Sequence, residues 1–438
     1  MRMKRVKYVT NVEKHKYLKE SKIKTKENNT YQEMNVITVY PDIEKQEWLG
    51  MGGALTQSTN ANFLKLSQNK QEELLQDYFF PSGLNYSYLR LPIASCDFAP
   101  YSYSYVSKKD GGDFSLKEDE QNLFPTLNKI LEKKELTYLA SPWSPPQVWK
   151  EPKKLYQGAS LKKEYYQEYA NYFVRYLQEM KQRRVPITYL SIQNEPFASQ
   201  NWESCKWTLE DQKTFINDYL LPAFKDNEIN TKLLLWDHNK ENMSEVVNKL
   251  YENQEQIAGV CFHWYSGHHF EQLSYIKEAY PNLLIVESEM CCGFSTYQEQ
   301  EWVWDAQEYL YEIMNNINHG MNLWFDWNLL LDFQGGPNHK DNYCKSPIIL
   351  NEQKNDYIKT PIYHYLKHIS LIPDHAKVLF TSSYTTELTT IAMKKENTLY
   401  ITILNKTSNN IKYNLVIQNK HIEDEIDCHS IVTYLLNL

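Results

Sequence analysis

Ile187-Thr-Tyr-Leu-Ser-Ile-Gln-Asn-Glu195, followed by Pro196, is an apolar run that closes on a carboxylate. Leu283-Leu-Ile-Val-Glu-Ser-Glu289 has the same form. Short runs of this kind suit the strands of a parallel sheet, which are packed on both faces. Six more occur along the chain, at Trp48–Leu55, Tyr86–Ile93, Leu136–Trp143, Leu233–His238, Gly259–Tyr265 and Leu323–Leu329. Helical patterns lie between them. The clearest covers Leu161–Gln182, where Tyr166, Tyr169, Phe173, Tyr176, Leu177 and Met180 share one face at i+3/i+4 spacing. Another opens at a capping-box sequence, Thr208-Leu-Glu-Asp211, and continues through Phe215, Tyr219, Leu220 and Phe224. Eight strands alternating with helices predict an α/β fold, a (β/α)8 TIM barrel over residues 47–373. The chemistry of such a barrel gathers at the C-terminal ends of its strands.

From about Ala376 the texture changes to short alternating runs, Val378–Phe380, Leu388–Met393, Leu399–Leu404, Ile411–Ile417 and Ile431–Leu436, separated by polar turns. This predicts an attached antiparallel β-sandwich over 374–438. Strand-like pieces at Val6–Val12 and Val36–Tyr40 assign segment 1–46 to the same domain, which is then built from both chain ends.

With 42% apolar and 23% charged residues among 438, the chain reads as a globular protein rather than a disordered or fibrous one. A net charge of -8, with no basic stripe, argues against a nucleic-acid partner. The basic N-terminus runs into Asn11-Val-Glu-Lys-His-Lys16 instead of an apolar signal core. No apolar run approaches the roughly 20 residues that span a bilayer. Seven cysteines, odd in number and without metal-ligand spacing, speak against a disulfide framework. The expectation is a cytoplasmic protein with reduced thiols. Adjacent Cys291-Cys292, just past the seventh strand, read chiefly as small buried residues and secondarily as an oxidation-sensitive pair. His263, His268 and His269 lack a convincing third ligand, so neither metal nor cofactor is expected.

Two carboxylates at strand ends are what glycoside cleavage needs: one protonates the departing oxygen and the other attacks the sugar carbon. In the fourth strand Ser191, Gln193 and Glu195 share a parity that points them at the barrel axis. In the seventh, Glu287 and Glu289 share a parity, and only position favours Glu289, which lies nearer the mouth.

The motifs resemble glycoside hydrolase family 30, and most closely its glucosylceramidase branch. The resemblance rests on Gly50-Met-Gly-Gly-Ala-Leu-Thr56, Leu89-Arg-Leu-Pro-Ile-Ala-Ser-Cys-Asp-Phe98, Leu139-Ala-Ser-Pro-Trp-Ser-Pro-Pro146, Asn194-Glu-Pro196, His263-Trp-Tyr265, Glu287-Ser-Glu289, Asp326-Trp-Asn328, Gly335-Gly-Pro-Asn338 and Ser346-Pro-Ile-Ile349. It implies a retaining double displacement, and no cofactor is implied. The expectation is exo action on a small glycoside or oligosaccharide, since the missing export signal makes a long extracellular polysaccharide a poor substrate. Glu195 matches the acid/base and Glu289 the nucleophile, with Glu287 an inward neighbour. The resemblance further implies that Arg90 pairs with Glu289 and that Asn194 bonds the sugar 2-hydroxyl. Trp143, Trp327 and Asn338 match residues that line the glycone pocket, Tyr265 one that contacts a catalytic carboxylate, and Trp202 an aromatic at the mouth. Glu195, protonated first, should have a raised pKa while Glu289 stays ionised.

One position departs from the pattern. Gln57 stands where the branch has an aspartate after Gly-Gly-Ala-Leu-Thr. That leaves the sugar open among β-glucosides, β-D-fucosides, β-galactosides, β-xylosides and β-1,6-linked glucan. A catalytically silent glycan-binding relative is the alternative of a different class. It predicts loss of one carboxylate, and both are present.

Overall fold

The computed structural model describes residues 5–23, 35–252, 255–418 and 420–437; the basic start of the chain, residues 1–4, lies outside them. Eight parallel strands close into a barrel in chain order: β1 Gly50–Ala54, β2 Tyr88–Ile93, β3 Thr137–Pro142, β4 Ile187–Leu190, β5 Lys232–Asn239, β6 Ile257–His263, β7 Leu284–Glu289 and β8 Leu323–Asp326. β8 pairs back onto β1 through Leu323 and Gly50. Tyr88, Leu139, Leu234, Cys261, Val286, Leu323 and Phe325 pack as one cluster contributed by the strands.

Helices shield the outside. Helix α1, Tyr166–Gln182, buries Tyr166, Tyr169, Phe173, Tyr176, Leu177 and Met180, the face expected from spacing. It starts later than the periodicity suggested, because Lys163–Tyr165 forms a separate 3-10 turn. The second expected helix is present and Thr208 caps it, its hydroxyl accepting from the Asp211 N–H at 3.0 Å. Its middle, Phe215–Leu220, widens into a π turn just before Pro222, which has no N–H to continue the ladder. Helix α2, Glu299–Asn318, covers β7 and β8, and helix α3, Pro361–Ser370, follows the barrel.

Most strand bounds shift by one or two residues from the sequence expectation, and three of the differences have a visible cause or consequence. Trp48 ends a long strand of the second domain, Val36–Trp48, and β1 begins only at Gly50. Gly50 has φ +136°, and a Cβ there would meet the Asp374 carboxylate at 2.5 Å, so the corner between domains requires glycine. β4 stops at Leu190 instead of Glu195: Asn194 still donates to Pro142 O and Glu195 to Asp237 O, both at 2.8 Å, on the flanking strands, but Glu195 takes φ +48° and leaves the extended backbone. β8 stops at Asp326, and Asn328 takes φ +73°.

The second domain is one nine-stranded ladder that uses both chain ends. It is antiparallel except where Val36–Trp48 runs parallel to Ile411–Ile417. The ladder folds over its own core, since Lys7 near one edge reaches Asp424 on the other edge strand, Lys420–Ile426, at 2.6 Å. Ile37, Val39, Ile401, Ile403, Leu415 and Val432 are among the side chains that fill that core.

His368 of α3 locks the domains together. Its ring nitrogens lie 2.9 Å from the Thr433 hydroxyl and 2.7 Å from the Thr10 hydroxyl, with the side chain fully buried. Burial, then Lys367, push its pKa down from 6.5 to about 3. The folded value lies below the unfolded one, so its stabilisation is complete above pH 6.5 and is lost as pH falls toward 3. The loss amounts to about 1.4 kcal/mol per pH unit from this one group. His368→Gln is expected to flatten the dependence of Tm on pH between 6.5 and 4; an unchanged slope contradicts the assignment.

Candidate active site

Over the C-terminal mouth of the barrel lies a cavity of about 350 Å³ lined by Glu195, Glu289, Asn194, Trp143, Trp202, Tyr265 and Trp327, all expected from sequence. Asp97, Gln200, His238, Asn239, Cys291, Asn342, Tyr343 and Cys344 join them.

Glu289 is the last residue of β7, and a bulge aims it. Phe262 pairs with Glu287 and the next residue, His263, pairs with Glu289, so Ser288 is the extra residue. The Ser288 hydroxyl then reaches Asp237 inside the mouth at 2.5 Å. Glu287, expected to point inward beside Glu289, instead faces the helical layer and accepts from Asn316 of α2 at 3.0 Å. Burial and then Glu312 push its pKa up to about 8.

Two donors hold Glu289. The Arg90 Nη1 donates to Oε2 at 2.6 Å and the Tyr265 hydroxyl to Oε1 at 3.1 Å. Arg90 is fully buried; its Nη2 also reaches Asn194 Oδ1 at 2.8 Å and both Asp237 oxygens at 3.2 Å. Its guanidinium lies 5.0 Å from the Trp143 ring and 5.5 Å from Trp327. Burial opposes the charge, but Asp237 and Glu289 outweigh it and hold Arg90 cationic. Asp237 comes from a second bulge, in β5, where Trp236 pairs with Cys261 and His238 with Phe262. Burial works against its charge too, yet Arg90 and His263 keep its carboxyl well below the usual range.

Glu195 sits past the end of β4 with φ +48°. That left-handed conformation is strained for a non-glycine residue, and more so before proline. Its N–H bond to Asp237 O holds it there. His263 of β6 joins the carboxylates, with Nδ1 3.4 Å from Glu195 Oε1 and 4.0 Å from Glu289 Oε1, and Nε2 3.3 Å from Asp237 Oδ1.

This histidine overturns one expectation. Burial raises the Glu195 pKa, but the nearby His263, with smaller effects from His238 and Gln200, brings it below the usual 4.5. For His263 burial acts downward, and Glu289, Asp237 and Glu195 together lift it to about 10. Both shifts favour a proton on His263 over one on Glu195.

Two other assignments are corrected. Gln57 is buried away from the cavity, its amide donating to Ala94 O at 3.0 Å and to the Tyr103 hydroxyl at 2.8 Å. A carboxyl group is supplied instead by Asp97, on the loop after β2, which accepts from Asn342 at 2.8 Å. Burial, then Glu289, push the Asp97 carboxyl well above its usual range. Asn338 is set back as well: it accepts from the Lys340 and Asn342 N–H groups and donates to Asn342 O, so it shapes the loop that presents Asn342. Trp143 and Trp327 stack at 5.2 Å and are nearly buried. Among the described residues no group of three or more His, Cys, Asp or Glu side chains is placed to hold a metal, and no helix is long and apolar enough to cross a membrane.

Residues 49–372 match the glycosyl hydrolase family 30 TIM-barrel domain. The lysosomal acid glucosylceramidase of Mus musculus is 30% identical over 402 residues, covering 86% of this chain and 78% of the mouse protein. Among solved structures, SrfJ from Salmonella typhimurium superposes with a TM-score of 0.94 at 26% identity, covering 99% of both chains. An endo-β1,6-glucanase superposes with a TM-score of 0.87 at 25% identity, again covering 99% of both. With its barrel, its carboxylate-bearing mouth and these likenesses in agreement, the chain belongs to glycosyl hydrolase family 30 and is a glycosidase.

Proposed function

We propose that this glycosidase is a retaining exo-β-glucosidase with Glu289 as nucleophile and Glu195 as acid/base. The observation that carries the reading is that both carboxylates border one cavity and approach the same His263 nitrogen. That closeness suits the spacing of about 5–5.5 Å used by retaining enzymes. Glu289, fixed by Arg90 and Tyr265, attacks the anomeric carbon while the bond to the aglycone oxygen breaks and Glu195 gives that oxygen a proton. Water then attacks the glycosyl-enzyme, Glu195 takes its proton, and Glu289 leaves. Asn194, oriented by Arg90, meets the 2-hydroxyl.

The proton for the first step is shared. Glu195 and His263 exchange one proton at constant net charge, so the pair titrates as a unit. The basic limb of kcat/KM then follows loss of the proton from the pair, toward the raised value of His263. In His263→Gln, Glu195 loses its cationic neighbour and must keep the proton alone. The basic limb is expected to move down by more than one pH unit, with KM changed less than kcat. An unmoved limb contradicts the shared proton.

The sugar reading rests on the carboxyl group that Asp97 brings to the cavity wall in place of Gln57. The named activities of the similar proteins, glucosylceramidase and endo-β1,6-glucanase, both concern glucose linkages. The test is a panel of aryl β-glycosides (gluco, galacto, fuco, xylo) with a β-1,6-glucan oligosaccharide as a chain substrate. The gluco compound should lead, and the oligosaccharide should release single glucose units. A leading fuco or xylo compound, or internal fragments from the oligosaccharide, contradicts the reading. Asp97→Ala leaves a buried polar partner unsatisfied, worth about 1–3 kcal/mol, and should lower kcat/KM on the order of 10–100-fold. Gln57→Asp should leave the sugar ranking as it is.

A further inference from the structure

Cys291 and Cys344 stand on different loops, after β7 and after β8, yet their sulfurs lie 3.1 Å apart. That is about 1 Å longer than a disulfide bond. The backbones are already tied beside them: Gly293 and Cys344 form an antiparallel bridge, Phe294 N donates to Tyr343 O at 3.2 Å, and Lys345 N to Cys292 O at 2.9 Å. Joining the sulfurs therefore asks little of the main chain. Both thiols border the sugar cavity, which gives a small oxidant access. Cys292, the next residue, does not line it and packs into the main core.

Cys291 also touches the machinery. Its sulfur is 3.3 Å from the Tyr265 hydroxyl, whose other bond goes to Glu289 Oε1.

We propose that Cys291 and Cys344 are a modification site in the cavity wall, where hydrogen peroxide converts them to a reversible disulfide that disarms Glu289. In the first step one thiol gives up its proton, the thiolate attacks a peroxide oxygen, the O–O bond breaks, and a sulfenic acid forms while the departing hydroxide takes up that proton as water. In the second, the other thiol attacks the sulfenic sulfur, forming the S–S bond and expelling a second water. Two thiols lose two electrons and two protons, and peroxide is reduced. Drawing the Cys291 sulfur toward Cys344 takes a partner from Tyr265 and narrows the wall beside the nucleophile. The link with Cys291, then burial, hold the Cys344 thiol protonated at neutral pH, so the reaction should quicken as pH rises. The bond itself is independent of the roles proposed above; only its effect on activity rests on Glu289.

The experiment treats the folded full chain with hydrogen peroxide, maps cross-linked peptides by fragmentation mass spectrometry, and measures kcat/KM on the preferred aryl glycoside before and after dithiothreitol. Expected are a loss of 2 mass units from the two thiol hydrogens located to the Cys291–Cys344 pair, a fall in kcat/KM of at least about tenfold, and recovery on reduction. Cys344→Ser and Cys344→Ala, compared each with its own untreated activity, should lose this reversible fall. The proposal is overturned by free thiols in peroxide-treated folded protein, by a bond that leaves kcat/KM unchanged, or by the same reversible fall in both variants.

Discussion

Glu289→Gln is expected to lower kcat/KM on an activated aryl β-glucoside by on the order of 10⁵-fold, the scale seen when a covalent nucleophile is removed. The amide keeps the shape that Arg90 and Tyr265 grip but cannot form the glycosyl-enzyme. Glu287→Gln is the control, because Glu287 faces Asn316 in the helical layer, where burial and Glu312 raise its pKa toward the neutral form that an amide mimics. It should stay within about tenfold of wild type. Azide separates the two catalytic carboxylates. With Glu289→Ala it attacks the anomeric carbon from the vacated side and gives the α-glycosyl azide. With Glu195→Ala it intercepts the glycosyl-enzyme and gives the β-glycosyl azide. Near-normal turnover of Glu289→Gln removes Glu289 from the mechanism.

Arg90→Leu should be the most damaging change to both stability and activity. Arg90 is fully buried among Glu289, Asp237 and Asn194, and a leucine strands two acidic partners in a site shielded from water. Breaking a buried pair by removing one member costs about 3–5 kcal/mol. Activity should fall with it, since Glu289 loses its Oε2 donor and Asn194 its anchor. Arg90→Lys restores the charge but not the fork that serves three partners at once, so it should recover stability more than kcat/KM. Urea melts and kcat/KM for both variants check this. A leucine variant as stable as wild type contradicts the network.

The barrel could be read from sequence because each parallel strand is a short, continuous apolar run, and eight such runs survive in the structure. The ends of those runs could not. Ser191–Glu195 looks like a continuing strand, and its N–H groups still bond to the flanking strands at Pro142 and Asp237, but Glu195 turns to φ +48°. The alternation that left Glu287 and Glu289 indistinguishable is broken by the bulge at Ser288, which strict period-2 counting cannot represent. Most expected lining residues are in place, because strand-end position survives folding. Gln57 and Asp97 show the limit. Each follows a barrel strand, and only the structure shows that Gln57 points to Ala94 and Tyr103 while Asp97 faces the cavity. The lowered Glu195 pKa was hidden for a similar reason: His263, which causes it, lies on a strand 68 positions further along the chain.

The most direct test of the account is to incubate the enzyme with an activated 2-deoxy-2-fluoro β-glycoside of the preferred sugar, which slows hydrolysis of the intermediate, and to map the labelled peptide. One fluoroglycosyl group on Glu289 is the predicted result. A label on Glu287 or another residue, or turnover with inversion and no label, contradicts the double displacement at Glu289.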